Sequence, residues 1–241
     1  MATQTAFILG AGPGLGAALA RQFARSGLGV ALARRDGAAA TALAAEIAAL
    51  GVPTLGLGVE AGDPTAVEEA VAAAEAQLGL ISCAVMNAAS LVRAPFLDLT
   101  PAQFLAAWEA QAMAGMGFAQ AVLRRMAPRG AGFLAFTGAT ASGKASANFA
   151  AFASAKFALR ALSMSLAREF GPKGVHVSHV VIDGIIDSAR LRATMPAMVE
   201  RLGEDGLMSP DSIAAAYDYL RGQPRDAWTF ELDLRPYKET W

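Results

Sequence analysis

The chain has 241 residues, 54% of them hydrophobic and 17% charged, enough apolar material to bury a sizeable core in one domain. A net charge of −1 supplies no basic field for neutralising nucleic-acid phosphates or holding an anionic membrane surface, so small molecules and other protein chains remain as partners. The single cysteine, Cys83, excludes an internal disulfide and fits a reducing compartment, no apolar stretch reaches the roughly 18 residues of a membrane span, and Met1-Ala2-Thr3-Gln4 lacks a secretory basic region: a soluble cytoplasmic protein is expected.

The first expected strand, Thr5–Leu9, runs into four glycines in seven residues, Gly10-Ala11-Gly12-Pro13-Gly14-Leu15-Gly16, and then into a helix-forming stretch, Ala17 to Arg25. Strand, glycines and helix in that order suggest a dinucleotide phosphate site. Glycine lets the backbone approach a pyrophosphate without a Cβ in the way, and a helix N-terminus favours negative charge. The bland reading is a tight strand-to-helix turn. Further strands are expected over Leu28–Ala33, Thr54–Val59, Ile81–Met86, Gly132–Thr137, Val175–Ile182 and Ala227–Leu232, with alanine-rich helical stretches between nearly all of them. Helix starts are marked by Asp63-Pro64, by the capping box Thr100-Pro101-Ala102-Gln103 and by Ser209-Pro210-Asp211. The alternation implies an α/β fold: a single-domain, Rossmann-type doubly wound parallel sheet of about seven strands, helices on both faces, spanning 1–241. His176 and His179 stand three apart in a strand and point to opposite faces, with no cysteine or carboxylate cluster around them. No metal site is expected, and both histidines read as structural.

About 140 residues after the glycines comes Phe152-Ala153-Ser154-Ala155-Lys156, in a helix expected from roughly Asn148 to Phe170. Here the chain resembles the short-chain dehydrogenase/reductases. That family has a TGxxxGxG turn, matched at Gly10, Gly14 and Gly16 with Leu9 in place of the threonine, and a YxxxK motif, of which Lys156 is present and the tyrosine is not. Other landmarks fall in order: Asn87-Ala88-Ala89 after the fourth strand, Gly132 to Gly143 for the strand carrying a serine, and Asp183-Gly184 where a Pro-Gly pair follows the sixth.

The resemblance implies hydride exchange with a nicotinamide nucleotide while the tyrosine exchanges a proton with the substrate oxygen. Its lysine lowers the tyrosine's pKa and holds the nicotinamide ribose. In this chain Phe152 takes the tyrosine position, Ala139, thirteen residues earlier, the serine position, and Gln111 the asparagine position, so three of four catalytic groups are substituted. Asp183 is a candidate substitute acid, against the alternative of a turn residue or a salt bridge to Lys156. Thr140, Ser142 and Lys144 lie nearby in sequence.

By the same resemblance Gly10, Gly12, Pro13 and Leu15 line the pyrophosphate, Glu60 takes an adenine-contacting position, and Asn87 and Ala88 flank the ribose, with Gly184 beyond the sixth strand. At the end of the second strand, where an acidic residue would accept a 2′-hydroxyl, stand Arg34 and Arg35, while Asp36 reads as a helix cap. Arginine there accommodates a 2′-phosphate, so NADP is expected ahead of NAD. The leading expectation is an NADP-dependent oxidoreductase acting on a carbonyl or alcohol. The alternative is a non-catalytic NADP(H)-binding protein of the same fold, and an S-adenosylmethionine methyltransferase ranks below both, since it wants an acid where Arg34 stands.

Family members pair through two long helices, here about Thr100–Met126 and Asn148–Phe170, so a homodimer or homotetramer is expected. Residues 187–206 occupy the substrate-loop region, where Leu191, Met195, Met198 and Val199 would make an apolar lid or belong to the core. The tail from Arg235 to Trp241 ends in aromatic residues able to pack on a neighbouring subunit.

Overall fold

The computed structural model describes residues 4–239, which leaves Met1–Thr3 and the terminal Thr240 and Trp241 outside the described residues. The first half of the chain forms β1 Gln4–Leu9, α1 Leu15–Arg25, β2 Gly29–Arg34, α2 Gly37–Ala48, β3 Thr54–Gly58, α3 Pro64–Leu78 and β4 Leu80–Met86. A long helical segment follows, made of α4 Pro101–Trp108, a π-helical turn Glu109–Met113 and α5 Ala114–Arg129. Then come β5 Gly132–Thr137, α6 Ala150–Phe170, β6 Val175–Ile182, the short α7 Ala189–Thr194 and α8 Pro196–Leu202, α9 Pro210–Arg221, and β7 Glu231–Leu234.

The strands make one sheet in the order β3-β2-β1-β4-β5-β6-β7, every neighbouring pair parallel. From β1 the chain winds outward to β3, returns to the centre at β4, and winds the other way to β7. The connections leaving β1 and β4 therefore part company at the carboxyl ends of adjacent strands, and a crevice opens there. Its position follows from the register Leu9↔Met86, which sets Gly10 beside Asn87 and Ala88.

Side chains alternate between two cores. Ala6, Ile8, Cys83 and Val85 pack under α1 and α9, while Phe7, Leu9, Ala84 and Met86 pack under α3, α5 and α6. Burial on both faces is why these strands read as unbroken apolar runs rather than as alternation. Helix starts follow the capping residues. Asp36 accepts from Ala39 N at 3.0 Å, Asp63 from Thr65 N at 2.9 Å, and Thr100 with Gln103 closes a reciprocal box.

Two boundaries depart from the sequence expectation. The helix expected as continuous from Thr100 to Met126 widens into the π-turn at Glu109–Met113, because Gln111 Nε2 donates to Ala107 O at 3.2 Å and Ser90 O at 3.3 Å and so takes a carbonyl from the helical ladder. The last strand, expected over Ala227–Leu232, begins at Glu231. The preceding residues are held by side chains instead: Trp228 stacks on His176 with ring centroids 4.9 Å apart, and Thr229 O accepts from Ser178 Oγ at 2.7 Å. No helix among the described residues is long and apolar enough to cross a membrane.

Candidate active site

The glycine turn is built by close packing. Gly10 has φ +97°, and a Cβ there would land on the backbone of Asn87 and Ala88; one on Gly16 would meet Ala11 Cα at 2.7 Å. Around Gly12 and Gly14, by contrast, a Cβ would meet nothing within 4 Å. The first pair of glycines is demanded by the fold, and the second faces open space. The N-terminus of α1 carries no side-chain cap, whereas α2 and α3, whose N-termini lie at the same end of the sheet, are capped by Asp36 and Asp63. Uncapped first-turn amides beside an unfilled cradle suit an anionic group.

Next to the turn a cavity of about 760 Å³ is lined by Gly10, Gly12, Arg34, Arg35, Glu60, Asn87, Ala88 and Ser90, and by Ala106, Glu109 and Ala110 from the helical segment across from them. Arg34 ends β2, and Asp36, which also lines the cavity, caps α2 and makes no ion pair with Arg34 among the described residues. Among the described residues neither Arg34 nor Arg35 has a carboxylate within ion-pair distance. Asn87 forms the back of the cavity, donating from Nδ2 to Gly10 O at 2.9 Å and from its backbone N–H to Leu9 O at 2.8 Å.

Beyond the cavity lie the candidate catalytic residues. Phe152 and Lys156 sit one turn apart on α6, with the ammonium 5.8 Å from the centre of the phenyl ring. Lys156 is buried and donates to Thr137 O at 2.8 Å, and burial holds its pKa down to about 8. Ala139 is extended and donates its N–H to Ser142 Oγ at 3.1 Å, so the hydroxyl nearest that backbone is a buried one. Gln111 is buried in the π-turn, and its Oε1 has no hydrogen-bond partner among the described residues.

Asp183 does not fit the expectation of a substitute acid. Its Oδ1 accepts the Thr140 hydroxyl at 2.6 Å and its Oδ2 faces Arg235 at 3.3 Å, so both oxygens are engaged by neighbours. Its charged partner is Arg235 from the tail beyond β7, not Lys156. Gly184 next to it allows the tail to pack, since a Cβ there would meet Pro236 Cδ at 2.6 Å.

Both histidines are buried and point to opposite sides of the sheet, as their spacing implies. His176 is held by Thr229 O and Ser178, and His179 Nδ1 meets Glu231 at 3.0 Å, itself gripped by Arg160 with two 2.6 Å bonds. Burial pushes the pKa of both imidazoles down. Among the described residues no group of three metal-ligating side chains gathers.

The sequence profile of the short chain dehydrogenases matches residues 4–198. The chain belongs to the short-chain dehydrogenase family. It is 32% identical over 216 residues to 1-deoxy-11-beta-hydroxypentalenate dehydrogenase of Streptomyces exfoliatus, covering 88% of this chain and 77% of that one. Its fold superposes with a TM-score of 0.84 on the crystal structure of a short-chain dehydrogenase from Rhodopseudomonas palustris, at 36% identity, over 97% of this chain and 99% of the other. A metagenomic short-chain oxidoreductase in complex with NADP superposes with a TM-score of 0.82 at 25% identity, over 97% of each chain. As a short-chain dehydrogenase the chain is an oxidoreductase.

The fold of this short-chain dehydrogenase brings Gly10, Gly12, Arg34, Arg35, Glu60, Asn87 and Ala88 onto one cavity and sets Lys156, Phe152, Ala139 and Asp183 outside its lining, toward β5 and β6. Sequence reasoning passed over Thr137, which touches both groups: its carbonyl takes Lys156, and its hydroxyl is 3.1 Å from Asn87 Oδ1 and 2.8 Å from the hydroxyl of Tyr217. A threonine ending a strand otherwise made of Gly, Phe, Leu and Ala was the available signal.

Proposed function

We propose that this chain is an NADP(H)-dependent reductase or dehydrogenase of a small carbonyl or alcohol, in which the family's acid–base set is replaced by Phe152, Ala139 and Gln111. The observation that carries the cofactor reading is the cavity itself: two arginines with no carboxylate partner among the described residues stand at the end of β2 beside a glycine cradle with room over Gly12 and Gly14. A guanidinium there favours a ribose bearing a 2′-phosphate over a bare hydroxyl. The likeness to a short-chain oxidoreductase that holds NADP supports the same choice.

When bound, the reduced nicotinamide supplies a hydride to the carbonyl carbon. The uncapped first-turn amides of α1 would hold the pyrophosphate of that cofactor, Asn87 and Ala88 would flank its ribose, and Glu60 would lie at the adenine end. Lys156, with a pKa of about 8, carries its proton at neutral pH and would steady the nicotinamide ribose, as in the family. Phe152 presents an apolar ring where a hydroxyl would exchange the substrate's proton. The Thr140 hydroxyl is committed to Asp183, and that of Ser142 is buried, so neither takes over. Positioned acid–base help is worth roughly 10²–10⁴-fold, and without it the alkoxide left by hydride addition takes its proton from water, which slows turnover without abolishing the hydride step.

Residues 187–206 form the lid over this end. Leu191, Met195, Met198 and Val199 in it are all unburied, which supports a covering segment rather than core. A homodimer through α5 and α6 completes the reading, supported by the apolar groove of about 500 Å³ between Met116, Leu123, Leu162, Leu166 and Phe170.

The test is NADPH fluorescence titration followed by turnover on a panel of ketones and aldehydes, parent against Phe152→Tyr. Saturable NADPH binding with activity rising at least about tenfold in the tyrosine variant supports the proposal. Binding with no turnover in either protein points to the non-catalytic binding protein instead, and no binding of NADPH or NADH at millimolar concentration refutes the cofactor reading.

A further inference from the structure

Tyr217 lies on α9, on the face of the sheet away from Lys156, and is completely buried. We propose that it is a positioning residue for the nucleotide cavity, acting through Thr137 and Asn87 to fix the carbonyl of Gly10 and with it the direction of the glycine turn. The inference rests on the cavity being the cofactor site proposed above.

The proton inventory sets the direction of each bond. Asn87 Oδ1 can only accept, and Thr137 has a single hydroxyl proton, so the 3.1 Å contact between them uses it. In the 2.8 Å contact the Tyr217 hydroxyl must then be the donor. Asn87 Nδ2 donates in turn to Gly10 O at 2.9 Å. Turning the Asn87 carboxamide over would set its oxygen against the Gly10 carbonyl, so its orientation is fixed as well. The result is a polarised series, Tyr217 to Thr137 to Asn87, whose last group grips the first glycine of the turn. Bonds arranged head to tail in a buried setting reinforce one another.

Gly10 depends on that grip. At φ +97° it packs directly on Asn87 and Ala88, and Gly12 N closes back onto the same Gly10 carbonyl at 2.9 Å. A shift of Asn87 therefore moves Gly12 and, with it, the uncapped first-turn amides of α1 that follow. Thr137 also receives the Lys156 ammonium on its carbonyl oxygen, so one residue joins the turn to the lysine. Burial raises the pKa of Tyr217, in keeping with a hydroxyl that stays protonated and donates.

The experiment compares NADPH dissociation constants and melting temperatures for the parent, Tyr217→Phe, Thr137→Val, Thr137→Ser and the double variant that combines Tyr217→Phe with Thr137→Val. Thr137→Val, which keeps the shape but leaves Asn87 Oδ1 without its donor, is expected to weaken NADPH binding about tenfold, and Tyr217→Phe about three- to fivefold. Thr137→Ser recovers most of the valine variant's loss, and the double variant binds no more weakly than Thr137→Val alone, because the tyrosine acts only through the threonine. If Tyr217→Phe and Thr137→Val melt lower yet bind NADPH as the parent does, the tyrosine is only a fold staple and the inference is overturned. A parent that binds no nicotinamide nucleotide defeats the cofactor reading itself, a result distinguishable from the first.

Discussion

Replacing Lys156 by methionine should make this protein more stable at neutral pH, in spite of removing its most conspicuous site residue. Burial holds the ammonium's pKa near 8 against an ordinary 10.5, and at ~1.4 kcal/mol per pKa unit the charged form is penalised in the fold by about 3 kcal/mol. Against this stands the bond from Nζ to Thr137 O, worth ~1–2 kcal/mol for a charged donor. Methionine fills nearly the same volume without charge, so a net gain of about 1–2 kcal/mol is expected, equivalent to a rise in Tm of roughly 2–8 °C for a chain of this size. The pH dependence gives the sharper reading. Between about pH 8 and 10.5 the unfolded chain holds a proton at Lys156 that the folded one has released, so the parent gains stability as pH rises through this range. The methionine variant lacks that contribution, and its advantage shrinks toward pH 10.5. Paired denaturant titrations at pH 7, 8, 9 and 10, read as the difference between the two proteins, cancel the other titrating groups. A variant less stable than the parent at pH 7, or a difference independent of pH, would refute a desolvated lysine.

The two kinds of glycine separate cleanly in a second experiment: Gly10→Ala should lose several kcal/mol of stability from backbone overlap and a left-handed φ, while Gly12→Ala should melt like the parent yet bind NADPH at least about tenfold more weakly. Equal melting losses in the two would contradict the open cradle. Arg34→Ser is expected to raise the dissociation constant for NADPH by about tenfold and leave that for NADH nearly unchanged, measured side by side at fixed ionic strength. Parallel losses for both nucleotides would remove Arg34 from the 2′-phosphate. In the groove between α5 and α6, Leu166→Glu is expected to convert a dimer into a monomer in sedimentation velocity without a change in circular dichroism, and an unchanged mass would move the interface elsewhere.

The parts of the fold that were legible in the amino-acid order are those set by neighbours along the chain. The glycines after β1, the caps at Asp36, Asp63, Thr100 and Ser209, and the apolar runs of β1, β4 and β5 all express local geometry or the burial of both sheet faces. What escaped is set by residues brought together from afar. Asp183 looks like a free carboxyl until the tail returns Arg235 to it, and nothing around Tyr217 hints at a threonine 80 residues away. Gln111 shows a further limit: one side chain reaching back to the carbonyl four residues earlier turns an expected continuous helix into one with a π-turn, and amphipathic periodicity is blind to that.

Cys83 sits in β4 at the middle of the sheet, with Ala6 of β1 on one side and Phe133 of β5 on the other, and burial drives its thiol well above the usual range. A thiol so placed is invisible to alkylating reagents until those three strands separate. Because it is also the chain's sole sulfhydryl, the rate at which it becomes labelled is a clock for the opening of the central strands, with no engineered probe required.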